Sequence, residues 1–373
     1  MNAIRSLICP LWLGFFFILS APSAQAAVAT TGLPANVALY AGGTIEFGSF
    51  SDITDGNVVA GGDVTHLGGT LNLEALSSAG GFSSQGPAFQ NSNGTLLFNG
   101  DVTNLGGPGS TFHGSITSTG GNIDFLDSSQ TINGNVIAIG SVEWEFPFGT
   151  VNGDVTAGGG INVTASVSGS VTPGASISLD PYVLPNLPSG RNLLPGTQNV
   201  TLNAFDEITL APGDYGTLSY ASGNTVTLSA GSYVFEDIVS SFSLNRLNFD
   251  TTAGPIDLYI SSSDFNLSDL VQEINGMAIF STIKPERRQA QNIFIEVAGS
   301  MTVDGNFFGT LFAPNGDVSL ETFTDITGRV FAGGNVVLGD ADITFVPEPT
   351  TLAWLVLIAA TGTGRRLARS PDA

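Results

Sequence analysis

The sequence predicts an all-β chain wound as a right-handed parallel β-helix, in two segments that stack or are linked. Three observations predict it: a glycine-rich, charge-poor composition, short tracts of alternating apolar residues, and a repeat of about nineteen residues that keeps glycine and tract in step. Of 373 residues, 48 are glycine and 11% are charged, against roughly 25% charged in ordinary soluble domains. Helical bundles and coiled coils are excluded, because they need charged helix formers on their wet faces and glycine inside a helix costs ~1 kcal/mol relative to alanine. A hydrophobic content of 42% supplies the apolar surface to order a large body.

The repeat occupies residues 27–180. Gly43, Gly62, Gly81, Gly100, Gly121, Gly140 and Gly159 recur at intervals of 19 or 21 residues. Short alternating tracts follow most of them, such as Thr44-Ile45-Glu46-Phe47, Asp101-Val102-Thr103 and Ser141-Val142-Glu143-Trp144. A second phase runs in step through Gly94, Gly114, Gly134 and Gly153, each followed by a polar and then an apolar residue. A unit this short cannot bury its own apolar face, so each coil must stack on the next. Alternation sends Ile45, Val64, Val102, Ile123 and Val142 inward and turns Glu46, Asp63, Asp101, Asp124 and Glu143 to water. The corner glycines are expected to supply positive φ and close backbone approach. The coil holding Phe82 departs from the pattern and is expected to be a distorted rung, with residues 68–90 bulging from the stack.

Pro181, Pro185, Pro188 and Pro195 interrupt the strand signal and mark residues 181–197 as a stiff connection. From 198 to 345 the repeat resumes less evenly. Leu210 to Tyr215 is echoed by Leu228 to Tyr233, and Gly309 to Ala313 by Gly328 to Ala332. Ile256 to Ile260, Met277 to Phe280 and Asn292 to Val297 read as longer buried strands, and one helix is predicted after Ser268, carrying Leu270, Val271 and Ile274 and stopping at Gly276.

The two ends read as addresses. Residues 1–26 carry Arg5, an apolar run from Leu11 to Leu19, and Ala24-Gln25-Ala26, the order of a secretory signal peptide with cleavage after the small residues. Cys9, the single cysteine, leaves with this segment, so the mature chain has no disulfide. Residues 346–373 hold Val346-Pro347-Glu348-Pro349, an apolar helix from Leu352, and the cluster Arg365, Arg366 and Arg369. This ending resembles the PEP-CTERM sorting signal of Gram-negative bacteria. The resemblance implies handling by signal peptidase and then an exosortase, with transient membrane insertion or a retained anchor through the C-terminal helix, and delivery to the cell surface or extracellular matrix. The Gly-Asn/Asp-Val cadence from Gly134 to Val171 resembles bactofilin-type and other polymer-forming β-helices, and residues 210–345 resemble β-helical domains of bacterial surface proteins. These likenesses imply a scaffold and self-association, and transfer no site residue.

Between residues 27 and 349 stand 31 acidic and six basic residues, a net charge of −25. Nucleic acid is thereby a poor partner, since phosphate binding needs a basic face; divalent cations or a hydrated exopolysaccharide suit the surface better. No Gly-x-Ser-x-Gly elbow, phosphate loop or dinucleotide fingerprint occurs. His66 and His113, the two histidines, are expected at solvated corners and with no cysteine supply no zinc set. The clustered aspartates beside Gly-His-Gly or a catalytic Arg or Lys that pectin-degrading β-helices carry are missing. Two carboxylate pairs are calcium candidates: Asp124 with Glu143 on successive coils, ~5 Å apart, and Asp340 with Asp342 on one strand face, ~7 Å apart. Lys284, Arg287 and Arg288 form the one basic cluster of the mature chain. The function expected is that of an exported, non-catalytic scaffold without cofactor. The competing readings are a carbohydrate-active lyase or glycosidase, and a carbohydrate-binding adhesin.

Overall fold

The computed structural model describes residues 32–347 apart from 86–87, 126–128, 193, 241–243, 269 and 280–286. The predicted signal peptide and the C-terminal signal beyond Pro347 lie outside the described residues. Each coil contributes three short strands. Val136–Ala138, Val142–Trp144 and Thr150–Val151 form one such coil, and their alternating burial points Val136, Ala138, Val142, Trp144 and Val151 into a common core. Strands stack in parallel register from coil to coil, making a rod with three faces and about fourteen turns. The first face holds Val136–Ala138 and its equivalents, the second Val142–Trp144, the third Thr150–Val151.

The order of coils along the rod differs from their order in the chain. Val37–Ala41 pairs on one side with the following coil at Asn57–Ala60 and on the other with Val330 to Ala332, near the end of the described chain. Ile45–Phe47 likewise lies between Val64–His66 and Val336–Leu338. The described chain therefore starts at the middle of the rod and winds out to Val171–Thr172 at one end. It then returns along the outside to Val200–Thr201 at the opposite end, and winds back to meet its own beginning. Coils are numbered here from 1, at Val200, to 14, at Ile161. One apolar core runs through both halves, from Ala38 to Val346.

The proline-rich connection is the return strap. Ala175 donates its amide to Ala157 near one end, the backbone of Tyr182 exchanges hydrogen bonds with the Asn99 side chain, Pro185 accepts from the Tyr40 hydroxyl, and Gly190 sits against Pro314. Those fifteen residues cross eight coil steps, ~38 Å at ~4.8 Å per step. Only a chain near the polyproline II rise of ~3.1 Å per residue covers that, which is what prolines at 181, 185 and 188 enforce. Tyr182, Leu184 and Leu187 lie over an outer apolar row of the first face, made of Val234, Tyr259, Phe312, Phe331, Tyr40 and Val59.

The corner glycines do stack as the period predicts, but for one of the two expected reasons. None of the seven has positive φ. Close approach selects them: a Cβ on Gly121 would lie 2.6 Å from the Asp101 nitrogen, and one on Gly159 3.1 Å from the Gly140 carbonyl carbon. The column crosses the seam between halves, with Gly334 donating to Gly316 and Gly43 to Gly334.

The polar residue after each corner glycine has a task as well. Asp63, Asp101, Asn122 and Asn335 each accept, through Oδ1, the backbone amide of the next coil at Gly81, Asn122, Ser141 and Thr44, at 2.7–2.9 Å. The outer phase repeats this with Asn135 to Asp154 and Asp154 to Ser170. Asp63 and Asp101 thus face water, as expected, while bracing the adjacent coil.

Three local expectations are corrected. Phe82–Ser84 is a regular rung, paired with Val64 and Val102 and with Phe82 buried, because the aromatic ring fills the volume that valine fills elsewhere. The predicted helix after Ser268 is the strand Leu270–Ile274, paired in parallel with Asn245–Asp250. Five residues fit both periods, and the ladder decides. Gln272, a polar residue at an inward position of this strand, is buried because its side chain bridges to the Phe308 backbone, donating to O at 3.1 Å and accepting from N at 2.9 Å. Met277–Ala278 turns back antiparallel to this strand and leaves Met277 exposed, and a single helical turn, Arg287–Ala290, follows.

Candidate functional site

Asp124 and Glu143 occupy paired positions on adjacent second-face strands. Burial, then the charges of Glu143 and Glu145, raise the Asp124 pKa above the usual carboxylate range. The next residue in the row is Asn162, and among the described residues no group of three or more His, Cys, Asp or Glu gathers at a metal-binding distance. Asp340 and Asp342 do not form the expected pair. Asp340 precedes its strand and accepts the Ser49 and Phe50 amides at 2.9 and 3.0 Å, whereas Asp342 joins the third-face row between Asp325 and Asp52. The corner turns the first carboxylate into the rod's seam, so the two serve different edges.

His66 is also corrected: it is buried, on the inner side of Val64–His66. Burial lowers its pKa to about 4, partly opposed by the Gly68 backbone. Gln90 lies 3.3 Å from its Nδ1, which fixes a neutral ring accepting the amide proton. Gln90 also accepts the Gly106 amide and donates its own backbone N–H to Ser110. His66 therefore begins a buried polar chain along the inner corner of the second and third faces, a task invisible in the sequence. His113 stands exposed at a corner beside Asn133, as expected.

A chemically varied concavity is a cleft of about 210 Å³ between strap and rod, lined by Arg191, Asn192, Tyr259, Ser261, Glu296 and Asn315 among others. Sequence reasoning passed over it, since Arg191 and Glu296 are over a hundred residues apart. Tyr259 and Glu296 pair in register on the first face. The Arg191 amide donates to Glu296 at 2.6 Å, and its guanidinium lies 4.8 Å from the Tyr259 ring centre. Burial raises the Glu296 pKa, with the Arg191 hydrogen bond and charge opposing, and burial raises that of Tyr259. Glu296 is the one carboxylate in the lining. Glycoside hydrolysis uses two facing carboxyl groups, so this cleft has an acid without its partner, and its acid pins the strap.

Lys284 lies outside the described residues, and Arg287 and Arg288 open the short helix. No helix among the described residues is long and apolar enough to cross a membrane.

No family model matches the chain, and no curated protein does. Among solved structures, a possible adhesin C-terminal domain from Caldicellulosiruptor kronotskyensis is 12% identical, covering 87% of this chain and 96% of that one, with a TM-score of 0.28. The DUF3494 domain of a Shewanella frigidimarina ice-binding protein is 17% identical, covering 86% and 98%, with a TM-score of 0.28. An ice-binding protein from an Antarctic Flavobacteriaceae bacterium is 12% identical, covering 84% and 98%, with a TM-score of 0.27. Scores this low define no shared family.

Proposed function

We propose that this protein is an exported, non-catalytic rod of the cell surface or extracellular matrix, sorted through its C-terminal signal. One observation supports the non-catalytic reading above others: the groups that a reaction would recruit are engaged in holding coils and strap together. Asp63, Asp101, Asp154 and Asp340 brace neighbouring amides, His66 belongs to a buried chain, and Glu296 holds Arg191. The described chain also enters and leaves at the middle of the rod, where Arg329 binds the Pro34 and Val37 carbonyls and Gln291 binds that of Pro347. A tether beyond Pro347 would hold the rod by its middle, both ends free.

Incubation of the secreted protein with neutral and acidic polysaccharides, followed by chain-length measurement, tests the catalytic point: unchanged length is expected, and shortening defeats the reading. Fractionation of exosortase-deficient cells tests the address, with retention in the membrane fraction expected and undisturbed release counting against it.

A further inference from the structure

Among the described residues, every exposed phenylalanine lies on one edge of the rod, between the second and third faces. Phe205 stands at coil 1, Phe323 at coil 6, Phe50 at coil 8, and Phe146 and Phe148 at coil 13, with exposures of 78%, 83%, 60%, 45% and 78%. Leu244 at coil 3 and Leu67 at coil 9 add to the same line. At ~4.8 Å per coil the row runs for about 58 Å, with Phe323 and Phe50 about 10 Å apart. Asp340 joins those two corners, taking the Phe323 amide on its carbonyl and the Phe50 amide on its carboxylate.

Stability does not explain these rings. Among the described residues, six non-glycine residues have positive φ, and four are Asn36, Asp55, Asn104 and Asn275, residue types that tolerate the left-handed region. The other two are Phe205 at +64° and Phe323 at +68°. A bulky residue there is a backbone outlier, and strained residues of this kind gather where ligands are held. Each ring is also exposed, so neither conformation nor burial favours phenylalanine at either position.

We infer that this edge binds a linear, neutral polysaccharide, the sugar faces lying on the rings. The inference rests on the proposal of an exported matrix protein and names its partner class. The spacing favours a polyhydroxylated chain over a protein or lipid surface. The rings do not merge into one apolar patch, as such interfaces require; they are separated along a straight line and flanked by hydrogen-bonding rows. On the third face the flank is Asp325, Asp342 and Asp52 beside Phe323 and Phe50, continuing as Asn72 and Asn91; on the second it is Glu46 beside Phe50, continuing as Thr65, Ser83 and Thr103. Isolated aromatic platforms between carboxylate, carboxamide and hydroxyl groups match a ligand with apolar faces and hydrogen-bonding rims. The net charge of −25 disfavours an acidic polymer.

The test is affinity electrophoresis and sedimentation with hydroxyethylcellulose as the neutral β-linked probe, alginate as the acidic one, and anionic vesicles as a lipid surface. Binding to hydroxyethylcellulose alone is expected. The variant Phe50→Ala/Phe205→Gly/Phe323→Gly should bind at least tenfold more weakly while melting no lower than the parent, because glycine takes the left-handed backbone without strain. Unchanged binding by this variant, no binding by the parent, or preference for alginate or vesicles overturns the inference. The polymer's chain length, followed in the same incubations, reports separately on the non-catalytic reading.

Discussion

The two halves of the rod share one cross-section and solve its stability differently. From Val37 to Thr172 most strands have two or three residues and the coils advance with near-constant period. Cohesion there comes from close backbone contact at glycine columns and from side chains that cap the next coil. From Val200 to Phe345 most strands have four or more residues, the outer row of the first face is aromatic, and the strap covers it. A regular period permits repeated small contacts; an irregular one needs large side chains and an added layer to exclude water. The halves meet at Arg329, buried at 2% exposure with its guanidinium 4.6 Å from the Phe331 ring centre.

The comparison can be broken most forcefully at a glycine column. Gly121→Val should cost more than about 4 kcal/mol, because the added atoms meet backbone that cannot yield. Hydrogen exchange is expected to lose protection from Leu96 to Val151 while Ile256–Ile260 and Ile293–Val297 stay protected; joint loss would mean the halves are one cooperative unit. Arg329→Met comes next, at about 3 kcal/mol, since it removes charge-assisted hydrogen bonds from the buried Val37 carbonyl and the half-buried Pro34 carbonyl. Here urea unfolding should lower the midpoint for probes in both halves, and an effect confined to one would separate them.

His66 sharpens the contrast through pH. Its folded pKa, about 4, lies below the ordinary histidine value of 6.5, so the unfolded chain takes up the proton first as pH falls. The stability from the neutral ring is full above pH 6.5 and is lost progressively down to about pH 4. His66→Gln should remove that part of the pH dependence in thermal melts, and an unaltered slope would refute the assignment. The smallest effect belongs to the corner caps. Asp101→Ala should cost about 1 kcal/mol, whereas Asp101→Asn, which keeps the accepting oxygen, should melt close to the parent.

Much of the N-terminal half is legible in the sequence because its regularity is local: Ile45, Val64, Val102, Ile123 and Val142 are buried in one stack, with Phe82 between Val64 and Val102, as alternation and period require. Less of the C-terminal half is legible. Leu270–Ile274 satisfies helix and strand periods alike, and Gln272 is a core residue only because Phe308 lies opposite. The exposed phenylalanines had no signal of their own, since an apolar residue at a corner reads like any core residue until the backbone places it outside.

Composition and period determined that this chain is a stack of parallel coils with an acidic surface, because glycine contacts and side-chain alternation repeat at the scale of a single coil. The order of the stack was decided only in three dimensions: that the described chain begins at the middle, returns as a proline-rich strap and closes on itself follows from pairings between residues almost three hundred positions apart. A repeating strand edge fits any other of its kind, so the repeat itself cannot say which coil is its neighbour; side chains such as Arg329, Tyr40 and Asp340, each matched to one distant segment, make that choice.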